Sequence, residues 1–306
     1  MKPEDELRNH AAGCLLGLAI GDALGAPFEG RKGPIEPPEK FFIRGDLPAG
    51  AYTDDTQMSL ITAESILQCK DLDPDDLAKR FTASIGKIRG IGAITKLVLE
   101  KMAEGQKAHF AAEEAHLQLG RRSAGNGAIM RMAPIAIAFW DDIPKVCQAA
   151  ADAAAIIHFD PLAHNAAQAV AELTALLLSG ASIREQALAT VEALFLPKDS
   201  CVAAALRKGA SSSAEELRPE TGFAIDTLTA AIWAFLEKDD FKGCVQAAIS
   251  IGGDTDTTAA ITGSLAGAMW GLGEIPKEWR DGVEGSKEIL KLSNKLVDFS
   301  LSNSRA

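Results

Sequence analysis

GGDTDTTAAITGSLAGAMW, residues 252–270, decides how this chain is read. A glycine pair leads into Asp254 and Asp256, one residue apart, and then into a stretch with no charged side chain from Thr257 to Gly273. Its small residues let a helix over Thr257–Trp270 sit tightly buried. It is too short and too rich in Gly and Ala for a membrane span of about 20 residues. YTDDTQMSL, residues 52–60, repeats the design, with Thr53, Asp54, Asp55 and Thr56 just ahead of an apolar helix.

Helix capping explains either stretch alone, because Asp and Thr are favoured N-caps and each helix has four free N–H groups. One cap needs one side chain, however, and here two helices each carry two carboxylates. Crowded like charges call for a positive partner. Glu29, after the turn GDALGAPFEG (21–30), adds a third acidic point, with Asp22 as a cap or support. If Glu29, Asp54, Asp55, Asp254 and Asp256 converge, their five negative charges suit two divalent cations. Oxygen donors without His or Cys select Mg²⁺ or Mn²⁺. Two such ions about 3.5–4 Å apart orient hydroxyls and activate a water. Asp254–Thr258 also fits the D-x-D-x-T of phosphatases with an aspartyl nucleophile, but that motif needs a buried strand opening an α/β domain. An EF-hand loop from Asp254 fails, since Ala259 and Leu265 stand where Gly and Glu are required.

The rest of the chain bounds these readings. It has 306 residues, 47% of them hydrophobic, and can bury a large core. A net charge of −11 excludes holding nucleic acid or anionic membrane by bulk electrostatics. The five cysteines (14, 69, 147, 201 and 244) are scattered and form no C-x-x-C pair, which points to neither a disulfide framework nor zinc and fits a cytoplasmic location. The apolar run from Ala11 follows Glu4, Asp5 and Glu6 and is interrupted by Asp22, so it reads as a buried helix and not a signal peptide. Alternating β-branched runs are nearly absent, and about a dozen helical patterns, from Glu4–Leu24 to Lys287–Leu301, predict an all-α chain. They include Ile91–Ala103, Ala128–Trp140 and Gly222–Leu236, with a loop at GASSSAEELRPETG (209–222). No linker divides the chain, so a single domain over 1–306 is expected, with its motif-bearing core at about 8–280 and a C-terminal surface helix at about 285–302.

Taken together, GCLLGLAIGDALGAPFEG (13–30), YTDDTQMSL (52–60), SAGNGAIMRMAP (123–134), IHFDPLAHNAA (157–167), TGFAIDTL (221–228) and SIGGDTDTTAAITGSLAGAMWG (250–271) resemble the successive motifs of the ADP-ribosylglycohydrolases. Of these, the bacterial dinitrogenase reductase-activating glycohydrolases are the most similar. The resemblance implies a compact, orthogonal multi-helix fold with a central binuclear Mg²⁺ or Mn²⁺ cleft. It implies metal ligation by Thr53, Asp54, Asp55, Asp254, Asp256 and Thr257, and acid–base work by Glu29 and Asp55. Ser123, Gly125, Asn126 and Gly127 are assigned to ligand contact, His158 to the cleft wall and Phe223 to the adenosine; His164 keeps a structural reading.

The implied activity is hydrolysis of the bond between ADP-ribose and a modified side chain. The partner would be an ADP-ribosylated protein or a small ADP-ribose adduct, and the chain would act as a monomer. Arginine is the favoured leaving group. Arginine-releasing relatives, however, carry an acid where this chain has Ser123, and serine-directed relatives have an aromatic where it has Ala124, so serine stays open. The rival readings are a metal-dependent phosphate-ester hydrolase and a non-catalytic ADP-ribose-binding or crystallin-like relative.

Overall fold

The computed structural model describes residues 2–196, 200–217 and 222–303. Among them are fifteen α-helices and no strand. In chain order these are α1 (Glu4–Gly25), α2 (Asp54–Cys69), α3 (Pro74–Ala83), α4 (Ala93–Ala103), α5 (Ala108–Gln118), α6 (Ala133–Ala138), α7 (Ile143–Ala155), α8 (Pro161–Ser179), α9 (Arg184–Phe195), α10 (Ser200–Ser211), α11 (Ala224–Glu237), α12 (Phe241–Ser250), α13 (Thr255–Trp270), α14 (Lys277–Gly282) and α15 (Ser286–Asn303). The all-α expectation holds. Three helices, α5, α10 and α14, lie where none was expected.

The physical reasons differ. On α5 the buried side chains are Ala111, Ala112 and Ala115, so no stripe of large apolar residues marks it. On α10, the sequence predicts a loop from Gly209, yet this residue lies inside the helix: a Cβ there would sit 2.8 Å from the Thr229 carbonyl of α11, so the glycine serves close packing. After α10 that expected loop contains a 3₁₀ turn at Ala214–Glu216, and 218–221 lie outside the described residues. The α14 segment is one short polar turn-and-a-half entered at Pro276. The pattern at Ala128–Trp140 shrinks to α6 because Pro134 fixes its first turn.

The centre of the fold is the antiparallel pair α1 and α13. Glycines recur every fourth residue along α1, at 13, 17, 21 and 25, and face a column of small residues on α13. A Cβ on Gly17 would lie 2.3 Å from the Gly263 carbonyl, one on Gly21 1.9 Å from that of Ala259, and one on Gly25 2.4 Å from that of Thr255. In the opposite sense, a Cβ on Gly267 would lie 2.0 Å from the Gly13 carbonyl. The two backbones therefore meet with no side chain between them. Polar groups close the ends: His10 Nδ1 lies 2.8 Å from the Ala268 carbonyl, and Thr255 Oγ1 donates to the Gly25 carbonyl at 2.8 Å.

The N-terminal segment Glu4–Phe28 is long and apolar enough to cross a membrane, but 89% of its most apolar window is buried in the protein, as befits a core helix. The amphipathic α15 packs beside α1, where Asp298 accepts from Arg8 at 2.6 Å.

Gly263→Ala tests the contact. At an open helical site this change gains up to about 1 kcal/mol of helix propensity. Against a backbone 2.2 Å from the new Cβ, it should instead cost about 1–3 kcal/mol in urea unfolding. A variant as stable as the parent would show that the helices are not in this register.

Candidate active site

The α1–α13 pair decides what meets at its open end. Because the helices are antiparallel, the C-terminus of α1, with Asp22 and then Glu29, lies against the N-terminus of α13, with Asp254 and Asp256. The glycine pair ahead of α13 makes the connection. Gly252 and Gly253 both have φ of +77°, a region costly for other residues. Gly253 N donates to the Arg31 carbonyl and Gly30 N to the Gly253 carbonyl, both at 2.8 Å. A Cβ on Gly252 would come within 2.3 Å of Gly33 N. The segment that carries Glu29 is thus laid directly against the aspartates of α13.

The third partner is α2. Its cap residue Thr53 forms no side-chain cap, and neither does Asp254 at the start of α13, so capping does not account for the acidic motifs. The cap of α2 comes from another helix. Asp22, fully buried on α1, accepts from Thr53 N at 2.9 Å, Thr53 Oγ1 at 2.8 Å, Thr56 N at 3.0 Å and Thr56 Oγ1 at 2.6 Å. These four donors fix the start of α2, and with it Asp54 and Asp55, relative to α1.

Asp54, Asp55 and Asp256 are buried and their charged forms disfavoured. Burial first, and the Asp22 charge second, push Asp54 up to about 8. Burial followed by Asp22 and Asp54 raises Asp55 well above the carboxylate range; burial and then Asp254 do the same to Asp256. Few donors relieve them. Asn126 Nδ2 donates to Asp254 Oδ2 at 2.7 Å, Thr257 N to Asp256 Oδ1 at 3.0 Å, and Thr257 Oγ1 stands 3.5 Å from Asp55 Oδ2. Asp55 Oδ1 is buried without a partner. From the loop between Glu29 and Thr53, Arg44 reaches across: its guanidinium bonds Glu29 and lies 3.6 Å from Asp256 Oδ2.

Glu29, Asp54, Asp55, Asp254, Asp256 and Thr257 line a cleft of about 240 Å³ together with Gly125, Asn126, Gly127 and His158. A larger groove of about 870 Å³ beside α3, α4 and α5 gathers no comparable cluster, so we place the site in the smaller one. Asn126 also donates to Thr227 Oγ1 at 3.1 Å, tying its turn to α11. Beneath it Arg131, wholly buried, donates to the Gly127 carbonyl and, at 3.0 Å, to the Ala153 carbonyl. His158, buried, is kept neutral first by desolvation and then by the Arg131 charge. His164 Nε2 bonds the His158 carbonyl and is structural.

Three expected residues point elsewhere. The buried Ser123 hydroxyl is bonded to His116 Nδ1 at 2.7 Å, so it does not line the cleft. Phe223 is half-buried against the core, its backbone bridged to Gly125. Thr53 gives its hydroxyl proton to Asp22. Conversely, Gly90, Gly92, Ala93, Ile94 and Thr95 line the cleft and were not foreseen, because the helix expected from Ile91 begins at Ala93. The signal was the R-G-x-G spacing at 89–92: Gly90 has φ of +74°, and a Cβ there would stand 3.3 Å from Asp54 Oδ1.

Residues 3–305 match the family described as ADP-ribosylglycohydrolase. This chain belongs to that family. Among its relatives, the ADP-ribosylarginine hydrolase Tri1 of Serratia proteamaculans is 30% identical over 96% of this chain and 80% of its own length. The ADP-ribosylhydrolase ARH3 of Gallus gallus is 31% identical over 94% and 92%. A solved structure described as an ADP-ribosylglycohydrolase-related protein complex superposes with a TM-score of 0.82 at 34% identity, covering 97% of this chain and 99% of that one. The chain is therefore a glycohydrolase-family enzyme with the ADP-ribosylglycohydrolase fold.

The family implies a divalent metal centre, and the residues fit one chemically. The donors are carboxylate and hydroxyl oxygens, one carboxylate oxygen is buried without a partner, and the buried acids repel one another. Among the described residues no three His, Cys, Asp or Glu side chains are grouped as a finished ion cage. The carboxylates are drawn instead to Asn126, Thr257 and Arg44.

Asp22→Ala should lower stability by about 2–4 kcal/mol in denaturant unfolding, because it orphans four buried donors at the head of α2; a loss under 1 kcal/mol would count against the cap. pH gives a second check. Asp54 is raised from 3.8 to about 8 on folding, so its contribution is present below 3.8 and lost as pH rises through about 8. Chelator-treated protein should accordingly melt at progressively lower temperature from pH 5 to 8, and a flat or rising profile would contradict the crowding.

Proposed function

We propose that this chain hydrolyses the glycosidic bond between ADP-ribose and a modified protein side chain, arginine in first place, with two Mg²⁺ or Mn²⁺ ions. The observation that carries the reading is the set of buried, mutually repelling carboxylates around one cleft, with Asp55 Oδ1 unpartnered. Bound divalent ions supply Lewis-acid polarisation and a more acidic water. Asp54, Asp55, Asp254, Asp256 and the Thr257 hydroxyl, all lining the cleft, would hold them.

The chain's own groups do the rest. The Gly127 N–H and the first N–H groups of α4, from Ala93 on, face the cleft and would receive a diphosphate, the Gly125 and Asn126 N–H groups being bonded to the Ser123 and Gly222 carbonyls, while the Asn126 side chain holds Asp254 in place. His158, neutral and buried, closes the wall behind them. Glu29, the most exposed acid of the set, is placed to exchange a proton at the cleft mouth, and Asp55 is the buried partner. Arginine is favoured because Glu29 already accepts a guanidinium, that of Arg44, at the cleft mouth, with Asp256 3.6 Å from the same group. Serine remains the second linkage. We further propose a cytoplasmic, monomeric enzyme acting on ADP-ribosylated protein or a small adduct.

A substrate panel tests this. Arginine-, serine- and acid-linked ADP-ribosyl peptides, plus a simple phosphate ester, are incubated with Mg²⁺ or Mn²⁺. Free ADP-ribose should appear fastest from the arginine linkage, vanish with chelator, and fall at least about 10³-fold in Asp256→Asn. Turnover of the phosphate ester alone would replace this reading with the phosphatase one.

A further inference from the structure

One cation belonging to the chain already sits among the candidate metal-binding acids. Among the described residues, Arg44 is the only Lys or Arg paired with any of Glu29, Asp54, Asp55, Asp254 or Asp256. The backbone holds it there. Arg44 N donates to the Leu47 carbonyl at 3.2 Å and Leu47 N to the Arg44 carbonyl at 2.9 Å, a tight turn through Gly45 at φ +56°. Ahead of the turn, the Phe42 ring meets Phe28 edge-on at 5.8 Å, one residue from Glu29. The segment is thus fastened to its own root, and the guanidinium is aimed back at Glu29 and Asp256.

A guanidinium and a divalent ion compete for the same oxygens and repel one another. The cleft, at about 240 Å³, is also smaller than the roughly 300–1,000 Å³ of pockets that hold drug-sized ligands. We propose that Arg44 is a tethered cation that latches the Glu29–Thr53 loop to the cleft acids Glu29 and Asp256, and that a divalent ion must displace it to load. The latch rests on the metal reading given above. It keeps the acids partly neutralised until ions arrive, so apparent metal affinity is the intrinsic affinity reduced by the unlatched fraction.

The test is isothermal titration of Mn²⁺ into the chelator-stripped full chain. If the latch is held about 90% of the time, Arg44→Gln should tighten the apparent Kd roughly tenfold. Arg31→Gln, the same charge change on a side chain that lies over the Phe28 ring and touches none of the acids, should move it less than about twofold. In the unaltered protein, trypsin cleavage after Arg44 should quicken severalfold when Mn²⁺ saturates, since a latched side chain is withheld from the protease. Equal affinity of the parent and Arg44→Gln, equal tightening by Arg31→Gln, or cleavage indifferent to Mn²⁺ would overturn the latch while leaving the metal centre standing. Failure of Mn²⁺ to bind either the parent or Arg44→Gln would overturn both.

Discussion

Everything at the active site hangs on the absence of side chains between α1 and α13. Four glycines in α1 and the small residues facing them let two backbones touch, with carbonyl oxygens where Cβ atoms would otherwise stand. Such contact tolerates no slip. A shift by one residue puts a side chain into a gap that holds none, and a shift by a full turn displaces the end caps at His10 and Thr255. Close packing of this kind is usual where no large apolar group can drive association, and here it fixes register instead of adding bulk burial. The consequence is that the end of α1 and the beginning of α13 stand in one relation only.

That relation is used twice. Asp22, in the last turns of α1, caps α2 and so orients a third chain segment from the first. The Gly252–Gly253 pair, by accepting an unusual backbone, brings the Glu29 segment against the aspartates. Neither Asp22 nor the glycine pair needs to touch a substrate. Both are positioning devices, and the acids they position are those proposed to carry the chemistry. This division explains why Asp22 has a full set of partners while Asp55, in the very turn of α2 that Asp22 caps, has an oxygen with none.

Much of this was legible in the residues. The acidic pairs, their place at helix starts and the all-helical pattern are local features, and the resemblance drawn from them assigned the family. What the sequence hid was tertiary. The fourfold glycine spacing in α1 is visible on the page, but its meaning depends on α13 lying antiparallel some 240 residues later. Asp22 is a plausible cap by type, yet it caps a helix more than thirty residues away. Ser123 looked like a ligand contact because it shares a motif with Gly125 and Asn126. The backbone reverses between them, and the hydroxyl turns to His116. Arg44 gave no local signal at all, because a lone arginine in a Gly- and Pro-rich loop reads as a solvated surface charge.

The charge balance also shows why the scaffold, and not any bound ion, must set the geometry. The N-termini of α2 and α13 each contribute roughly +0.5 charge, about +1 together, against five carboxylates. Arg44 supplies one more positive charge, at the rim. About three negative charges are then left to be met by protons, as the raised Asp54, Asp55 and Asp256 indicate, or by the proposed cations. Either partner exchanges with solvent. A cluster balanced by exchangeable charge would spread apart in its absence if its backbone could yield. The glycine-lined contact and the Asp22 cap are what prevent this, holding the backbones under the mutually repelling groups in place so that only side chains need move for a proposed cation to enter.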